Sequence, residues 1–99
     1  MILTTTNTIE GFKIIDYKGI VTGVAINDDK LTMGFSLSKY IKSIQNSVDN
    51  VKEQALQKLK EHAKQLGANA VVGIKVEIEL TTGNYAMVSV TGTAVSVAA

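Results

Sequence analysis

The most constraining feature of this chain is an abrupt change of hydrophobic period at residues 66–73, whose sequence is LGANAVVG. Before it, apolar residues recur at three- and four-residue steps, which predicts a helix with one apolar face. After it, apolar and polar residues alternate over residues 72–80, which predicts a half-buried strand. Gly67 stands at the change and can adopt the left-handed conformation that closes a helix. The sequence therefore predicts a long helix that turns directly into a strand.

The predicted helix is long but has a weak middle. Ser36 or Ser38 is a suitable N-cap, and the apolar period then continues to Leu66, about eight turns later. Asn46, Asn50 and the nearby valines have low helix propensity. The sequence leaves open whether the helix is continuous or is kinked or broken between those two asparagines.

The helix and the strand after it are expected to fold back on each other, because the turn between them is tight. We expect the helix face that carries Ile44, Val51 and Leu59 to pack on the even-numbered side chains of residues 72–80. Burying each large aliphatic side chain contributes about 1.5–3 kcal/mol, and no other pair of segments offers as much contiguous apolar surface.

The N-terminal part of the chain contains three strand-like segments. Residues 2–6 form a short one, and its threonines, together with Thr8, either line a polar ligand site or belong to an ordinary edge segment. Residues 12–17 and 20–26 form either a hairpin or one strand bent at Gly19. Both arrangements are compatible with the sequence.

The C-terminal strand is expected to cover residues 85–97. Its large apolar side chains move from even to odd positions past Gly92, which predicts a β-bulge there. Residues 81–84 have the composition and length of a hairpin turn to the preceding strand. With one helix between two sets of strands, the chain is expected to be a single α+β domain over residues 1–99.

Charge and composition exclude several functional classes. The chain has ten basic and nine acidic residues, so it lacks the basic excess that binds nucleic acid or an anionic membrane. It has no cysteine, which excludes disulfides and thiolate metal sites and fits a reducing cytoplasm. Residues 80–99 are uncharged, but polar residues interrupt them, so a strand is favoured over a membrane span. No signal peptide is expected at the N-terminus, and the expected location is cytoplasmic.

Three residues are candidate metal ligands, and each also has a simpler structural interpretation. His62 is the only histidine; it is either a ligand or general base, or a helix residue at the rim of the apolar stripe. Glu77 and Glu79 are either a carboxylate pair for a hard cation or, with Lys75, the solvated face of a half-buried strand. Transition-metal sites normally need three or four donors, so the structural interpretations are favoured. The sequence shows no catalytic constellation and no phosphate-binding glycine loop, so no catalytic residue is assigned.

Four segments, in the same order along the chain, resemble the YbjQ-like family of small bacterial and archaeal proteins, which are often labelled heavy-metal-binding. They are TTTNTIEG at residues 4–11, YKGIVTG at 17–23, the junction at 66–73 and MVSVTGTAV at 87–95. The resemblance spans nearly the whole chain. It implies a dodecin-like β-β-α-β-β subunit, with an antiparallel sheet packed on the helix. It also implies a ring-shaped homo-oligomer, specifically a pentamer.

Two departures from the family pattern weaken the metal label. The Gly-rich, Arg-containing loop that usually separates a short first helix from a long second one is missing, and Val24 stands where an acidic residue usually follows Val-Thr-Gly. Four or five strands with one helix leave a sheet face only half covered and both strand edges without a partner, and a ring would cover both. Together with the resemblance, this predicts a non-enzymatic, oligomeric binding or scaffold protein without a cofactor, with space for a small ligand at its subunit interfaces. The alternative is a protein that binds a divalent metal through His62, or through Glu77 and Glu79, repeated around a symmetry axis.

Overall fold

The computed structural model describes residues 1–27, 37–80 and 85–99, and the structural statements below concern these residues. The predicted N-cap Ser36 and the predicted turn at 81–84 lie outside them, as do the side chains of Ser38 and Ile44. Among the described residues, no helix is both long and apolar enough to cross a membrane.

One helix and a four-stranded sheet make up the described fold. In chain order the elements are β1 (Ile2–Leu3), β2 (Lys13–Ile26), α1 (Leu37–Gln65), β3 (Ala70–Leu80) and β4 (Ala86–Ala98). The strand order in the sheet is β1-β3-β4-β2. This confirms the expected α+β fold and its β-β-α-β-β order. The sheet is mixed rather than wholly antiparallel as expected, because the short β1 runs parallel to β3, while β4 is antiparallel to both β3 and β2.

The end of α1 has the geometry that the sequence predicts. The helix is continuous through residues 46–50, which settles the open question about its middle. Gly67 has a φ of 78°, and its N–H donates to the carbonyl of Lys64 at 3.0 Å. The N–H of Ala68 donates to the carbonyl of Ala63 at 3.1 Å. These two bonds form a Schellman motif, so Gly67 is confirmed as the residue that closes the helix.

The segment between residues 12 and 26 is one bent strand rather than a hairpin. Gly19 has a φ of 135°, and the pairing with β4 is irregular between Tyr17 and Gly19 and again between Ile14 and Asp16. Each irregularity inserts one extra residue into β2. The first part of β2, before Gly19, is therefore bent, whereas the part from Gly19 onward pairs regularly with β4.

The main core lies between α1 and the two neighbouring strands β2 and β4. Gly23 lies where α1 crosses β2: a Cβ atom there would be 2.1 Å from the carbonyl oxygen of Ala55 and 2.8 Å from the nitrogen of Leu59. Only a glycine permits this approach of two backbones. The buried stripe of α1 consists of Val51, Ala55, Leu59 and Ala63.

A bulge in β3 makes the predicted strand register wrong at its first residue. Gly73 has a φ of 62°, and the pairing with β4 shifts between Val72 and Lys75. The extra residue reverses the alternation, so Val72 packs on the side of the sheet away from α1 while Ile74 packs on the same side as α1.

The rest of β3 follows the predicted faces but not the predicted burial. Val76, Ile78 and Leu80 pair with buried residues of β4 that contact the helix core, so they lie on the helix side of the sheet. They nevertheless remain 40%, 50% and 56% exposed, because α1 lies mainly over β2 and β4. The expectation that this row packs under the helix is therefore wrong for these three residues.

The shift of large apolar side chains from even to odd positions in β4 is not caused by the bulge that the sequence predicts in that strand. The strand pairs without interruption around Gly92, and the extra residue belongs to β3 on the opposite side. Past Gly92 both faces of β4 are covered: Ala94 contacts the helix core, and Val95 and Val97 form a second small core on the other side. Asn69 supports this end, because its side-chain amide exchanges two hydrogen bonds with the backbone of Val97, at 2.8 and 2.9 Å.

Candidate functional site

His62 is turned toward the outer side of β2. Its Nδ1 accepts a hydrogen bond from the backbone N–H of Thr22 at 3.4 Å. No group of three or more histidine, cysteine, aspartate or glutamate side chains that could hold a metal ion occurs among the described residues. The structure therefore gives His62 a backbone partner and places it in no such group among the residues that it describes.

Lys58 lies one turn before His62 and contacts the same strand. Its Nζ donates to the backbone carbonyl of Val24 at 2.9 Å. The N–H of Asn27 donates to the carbonyl of Ala86 in β4. The backbone N–H and C=O groups of the odd-numbered residues at this end of β2 therefore point toward β4, and those of the even-numbered residues point away from it. We call residues 20–26 the β2 edge; Lys58 and His62 cover part of it, which is a common way to protect an edge strand.

The charged row of β3 stands on the side of the sheet away from α1. Lys75, Glu77 and Glu79 are all exposed, and across the strand pair Glu77 faces Ser89 and Glu79 faces Met87. Two carboxylates at alternate positions of one strand are about 7 Å apart along the backbone. This spacing, without a third donor nearby among the described residues, does not bring the two groups together as a metal site.

One ion pair is present in the described part of the chain. The Nζ of Lys18 lies 2.9 Å from the carboxylate of Asp16, at the bend of β2. The hydrogen bond and the charge of Lys18 lower the pKa of the Asp16 carboxyl. Both side chains are accessible to solvent, so this pair is a surface interaction and not part of a buried site.

The threonine cluster at the N-terminus forms a self-contained turn beside an open concavity of ≈ 660 Å³. The Thr6 hydroxyl donates to the carbonyl of Thr8 at 2.6 Å. The 2.8 Å contact between the Thr4 and Thr6 hydroxyls must then use the hydrogen of Thr4. Thr4 in turn accepts from the N–H of Thr6. Because both hydroxyl hydrogens are used within the turn, they are not available to a ligand, and the edge-segment interpretation is favoured.

A second concavity, of ≈ 500 Å³, lies between the first half of α1 and β3. Val48 and Ile78 supply apolar surface, while Gln45, Asn46 and Asp49 supply amide and carboxylate groups. Sequence reasoning missed this groove, because it exists only where α1 passes beside β3 without covering it. An apolar groove with a few polar groups is typical of binding surfaces.

We call residues 75–80 the β3 arm, and its outer edge is open. The N–H of Ile74 donates to the carbonyl of Thr4 at 3.1 Å, so the even-numbered residues of β3 direct their backbone groups away from β4. The N-terminal segment pairs with β3 only as far as Ile74. Beyond it, the outward backbone groups of the β3 arm have no hydrogen-bond partner among the described residues.

Exposed apolar side chains accompany both edges. On the β2 edge they lie on the side of the sheet away from α1, and on the β3 arm they lie on the helix side. Such rows are unusual on the surface of a soluble monomer when they are contiguous. The exposed residues are Ile20, Val24 and Ile26 on the β2 edge and Val76, Ile78 and Leu80 on the β3 arm.

Comparison with known proteins places the chain among proteins of similar length. The model of the YbjQ family, described as "Putative heavy-metal-binding", matches residues 1–98. A UPF0145 protein of Clostridium kluyveri is 42% identical over 105 residues, which are 98% of this chain and 99% of that protein. A UPF0145 protein of Acetivibrio thermocellus is 39% identical over 103 residues, with 96% and 97% covered.

The fold is also found in a solved structure. A crystal structure of a protein with unknown function from Pediococcus pentosaceus, assigned to the DUF74 family, superposes with a TM-score of 0.72. The alignment covers 99% of this chain and 98% of that one at 22% sequence identity. At this identity the likeness establishes the fold and not the function.

Proposed function

The chain belongs to the YbjQ family, and we propose that it is a small, non-enzymatic binding or scaffold protein that works as a homo-oligomer. A ring of subunits, and specifically the pentamer, is the assembly we propose. A cytoplasmic location is part of the proposal. No residue is assigned to catalysis.

The observation that carries this proposal is the unusually large surface of a single chain. Its radius of gyration is 16.1 Å, against about 12.6 Å for a compact domain of this length. Its accessible surface is 6467 Å², against about 5,500 Å² for a folded monomer of this mass. The excess of roughly 1,000 Å² is comparable with the about 800 Å² that each partner buries in a standard interface.

The chemistry of the exposed surface supports the same proposal. The apolar rows of the β2 edge and the β3 arm are β-branched or leucine side chains, each of which gains about 1.5–3 kcal/mol when fully buried. The same segments carry several backbone groups that have no hydrogen-bond partner among the described residues, and such groups favour association with another strand. A second copy of the chain would offer both apolar side chains and backbone hydrogen-bonding groups to these segments.

The groove between α1 and β3 is our candidate for the ligand site. Ile78 of the β3 arm lines it, so a neighbouring subunit on that arm would add to its wall. Val48 and Ile78 would contact the apolar part of a small molecule, and the carboxylate of Asp49 would contact a polar group. The class of ligand is therefore a small amphipathic molecule held at a subunit interface.

Native mass spectrometry of the protein as purified tests this function. We expect a single assembly, five times the chain mass of 10.6 kDa for a pentamer, together with any small molecule that it carries. Light scattering that returned 10.6 kDa at micromolar concentration would refute the proposal.

The same sample tests the metal-binding alternative. A titration with zinc, copper and nickel is made on the purified protein and on His62→Ala, with Glu53→Ala as the matched control on the exposed side of α1. Stoichiometric metal binding that disappears only in His62→Ala would favour the metal site over the small-molecule site.

A further inference from the structure

The β3 arm and the β2 edge lie on the left and right of β4 within the plane of the sheet, and they lie level with each other along the strand direction. Val24 is paired with Ser89 on one side of β4, and Glu77 is paired with the same Ser89 on the other. Ile26 and Glu79 are related through Met87 in the same way. A second copy moved sideways within the plane of the sheet would therefore bring its β3 arm level with the β2 edge of the first copy.

The direction of this contact follows from the topology. Both β2 and β3 are antiparallel to β4, so they run in the same direction. If the neighbouring copy keeps its helix on the same side of the joint sheet, its β3 arm must lie parallel to the β2 edge. The outward groups of both edges are then in position to form the slanted hydrogen bonds of a parallel pair.

The protection of the β2 edge by α1 is compatible with such a pair. The carbonyl oxygen of Val24 accepts from Lys58, but a carbonyl has a second lone pair that can accept from a neighbouring strand. The N–H of Thr22 is engaged by His62, which marks the end of the open stretch. The N–H groups of Val24 and Ile26 have no partner among the described residues.

Charge distinguishes this contact from the two symmetric alternatives. Pairing two β3 arms by a two-fold axis at Glu77 would set the two Glu77 carboxylates directly opposite each other, where like charges are destabilising, while Lys75 of each copy would lie opposite Glu79 of the other. Pairing two β2 edges would bring together the ammonium groups of both Lys58 side chains. Joining unlike edges avoids both repulsions, and in a closed ring it pairs every β2 edge with a β3 arm.

We infer that the subunits of this protein join head to tail, with the β3 arm of one copy added in parallel to the β2 edge of the next copy. This inference rests on the proposed homo-oligomer and names its contact. If the second copy is moved only sideways, without a shift along the strands, Val24 of one copy lies opposite Glu77 of the next on the face of the sheet away from the helices. Two residues opposite each other on adjacent strands have Cα atoms within the distance that a disulfide spans.

Cysteine cross-linking tests the contact, because the natural chain has no cysteine. Val24→Cys and Glu77→Cys are placed on separate chains that carry tags of different mass, co-expressed and oxidised with diamide. We expect a disulfide-linked heterodimer from the mixture and little product from either variant alone. With both substitutions on one chain, we expect a ladder of covalent oligomers that ends at the size of the native assembly.

The matched control is Glu53→Cys, an exposed glutamate on α1. If native mass spectrometry shows the assembly but Val24→Cys cross-links to Glu77→Cys no better than to Glu53→Cys, the inferred contact is wrong while the proposed function stands. Efficient self-cross-linking of Val24→Cys alone would show a two-fold contact and would also overturn the inference. A monomer by mass spectrometry would refute both.

A proline variant gives an independent measurement. The N–H of Ile78 points away from β4, so Ile78→Pro removes no hydrogen bond of the β3–β4 pair. It removes one hydrogen bond of the inferred contact, and we expect the assembly to dissociate about tenfold more readily than that of the matched Ile78→Ala. Equal dissociation of the two variants would contradict edge pairing.

Discussion

Gly23→Ala tests whether the packing of α1 on β2 is set by contact between backbones. The new Cβ atom would lie 2.1 Å from the carbonyl oxygen of Ala55, roughly 1 Å closer than van der Waals contact allows. The helix must therefore lift away from the sheet near Leu59. A gap of about 0.5–1 Å already forfeits a quarter to a half of the dispersion attraction between the surfaces it separates. We expect a loss of about 3 kcal/mol, at the upper end of the usual range for overpacking.

The expected loss of stability in Gly23→Ala is opposite in sign to the usual effect of this substitution. Gly23 does not have a positive φ, and replacing such a glycine by alanine normally stabilises a protein by about 0.4–1 kcal/mol through the unfolded state. Our reasoning predicts the opposite. For a domain of this size, 3 kcal/mol lowers the melting temperature by about 12–24 °C.

Urea and thermal unfolding of the variant and the natural protein provide the measurement. Both must be compared at one protein concentration, because the proposed assembly would make the melting temperature concentration-dependent. Gly11→Ala is a suitable control, since Gly11 has a φ of 84° but no atom within 4 Å of an added Cβ, so it measures backbone strain alone. A Gly23→Ala protein as stable as the natural one would refute the close approach of α1 and β2.

Three further predictions concern single positions. Gly67→Val forces a β-branched residue into the left-handed region and should destabilise the protein by about 1–3 kcal/mol, measured by thermal melting; a shift below a degree would contradict its role as helix cap. His62→Ala removes one long hydrogen bond to Thr22, so its circular dichroism spectrum should be unchanged and its stability should fall by less than about 1 kcal/mol. Lys18→Met should raise the pKa of Asp16 toward its usual value, measured by carboxyl NMR titration, because Lys18 is the cause of its lowering. The pKa of Asp16 is lowered in the folded state, so its contribution to stability is present above the unfolded pKa and is lost as pH falls through the folded pKa; this loss should be smaller in Lys18→Met, where only the Tyr17 backbone still lowers the pKa.

The elements that the sequence predicts best are those whose signals are local. The change of period at Gly67 identifies both the end of α1 and the start of β3, because a left-handed glycine and a tight turn leave few other conformations. The continuity of the helix was left open, since the low propensity of Asn46 and Asn50 is a weak signal that tertiary packing overrides. The N-terminal strand was also left open, because Gly19 is compatible with a turn or a bend.

The errors arise where the fold depends on contacts between distant segments. The glycine at position 73 is the only local sign of a bulge, and the even-numbered apolar residues that continue on both sides of it conceal the change of register. Its φ of 62° is tied to the N-terminal segment, whose Thr6 carbonyl accepts from the Gly73 N–H at 2.7 Å. The apolar shift past Gly92 was likewise assigned to a bulge in β4, although it reflects a second small core on the other face.

The candidate groove lies beside β3 because one helix is too narrow to cover three long strands. A helix with its side chains is about 10–12 Å wide, and neighbouring strands are about 4.8 Å apart, so one helix covers about two strands. In this fold α1 lies mainly over β2 and β4, and the third long strand, β3, keeps an apolar row that nothing among the described residues covers. A chain with one helix and three long strands therefore exposes apolar sheet surface unless another molecule covers it. In the sequence, this row cannot be distinguished from a buried one, because Val76, Ile78 and Leu80 have the same alternation in both cases.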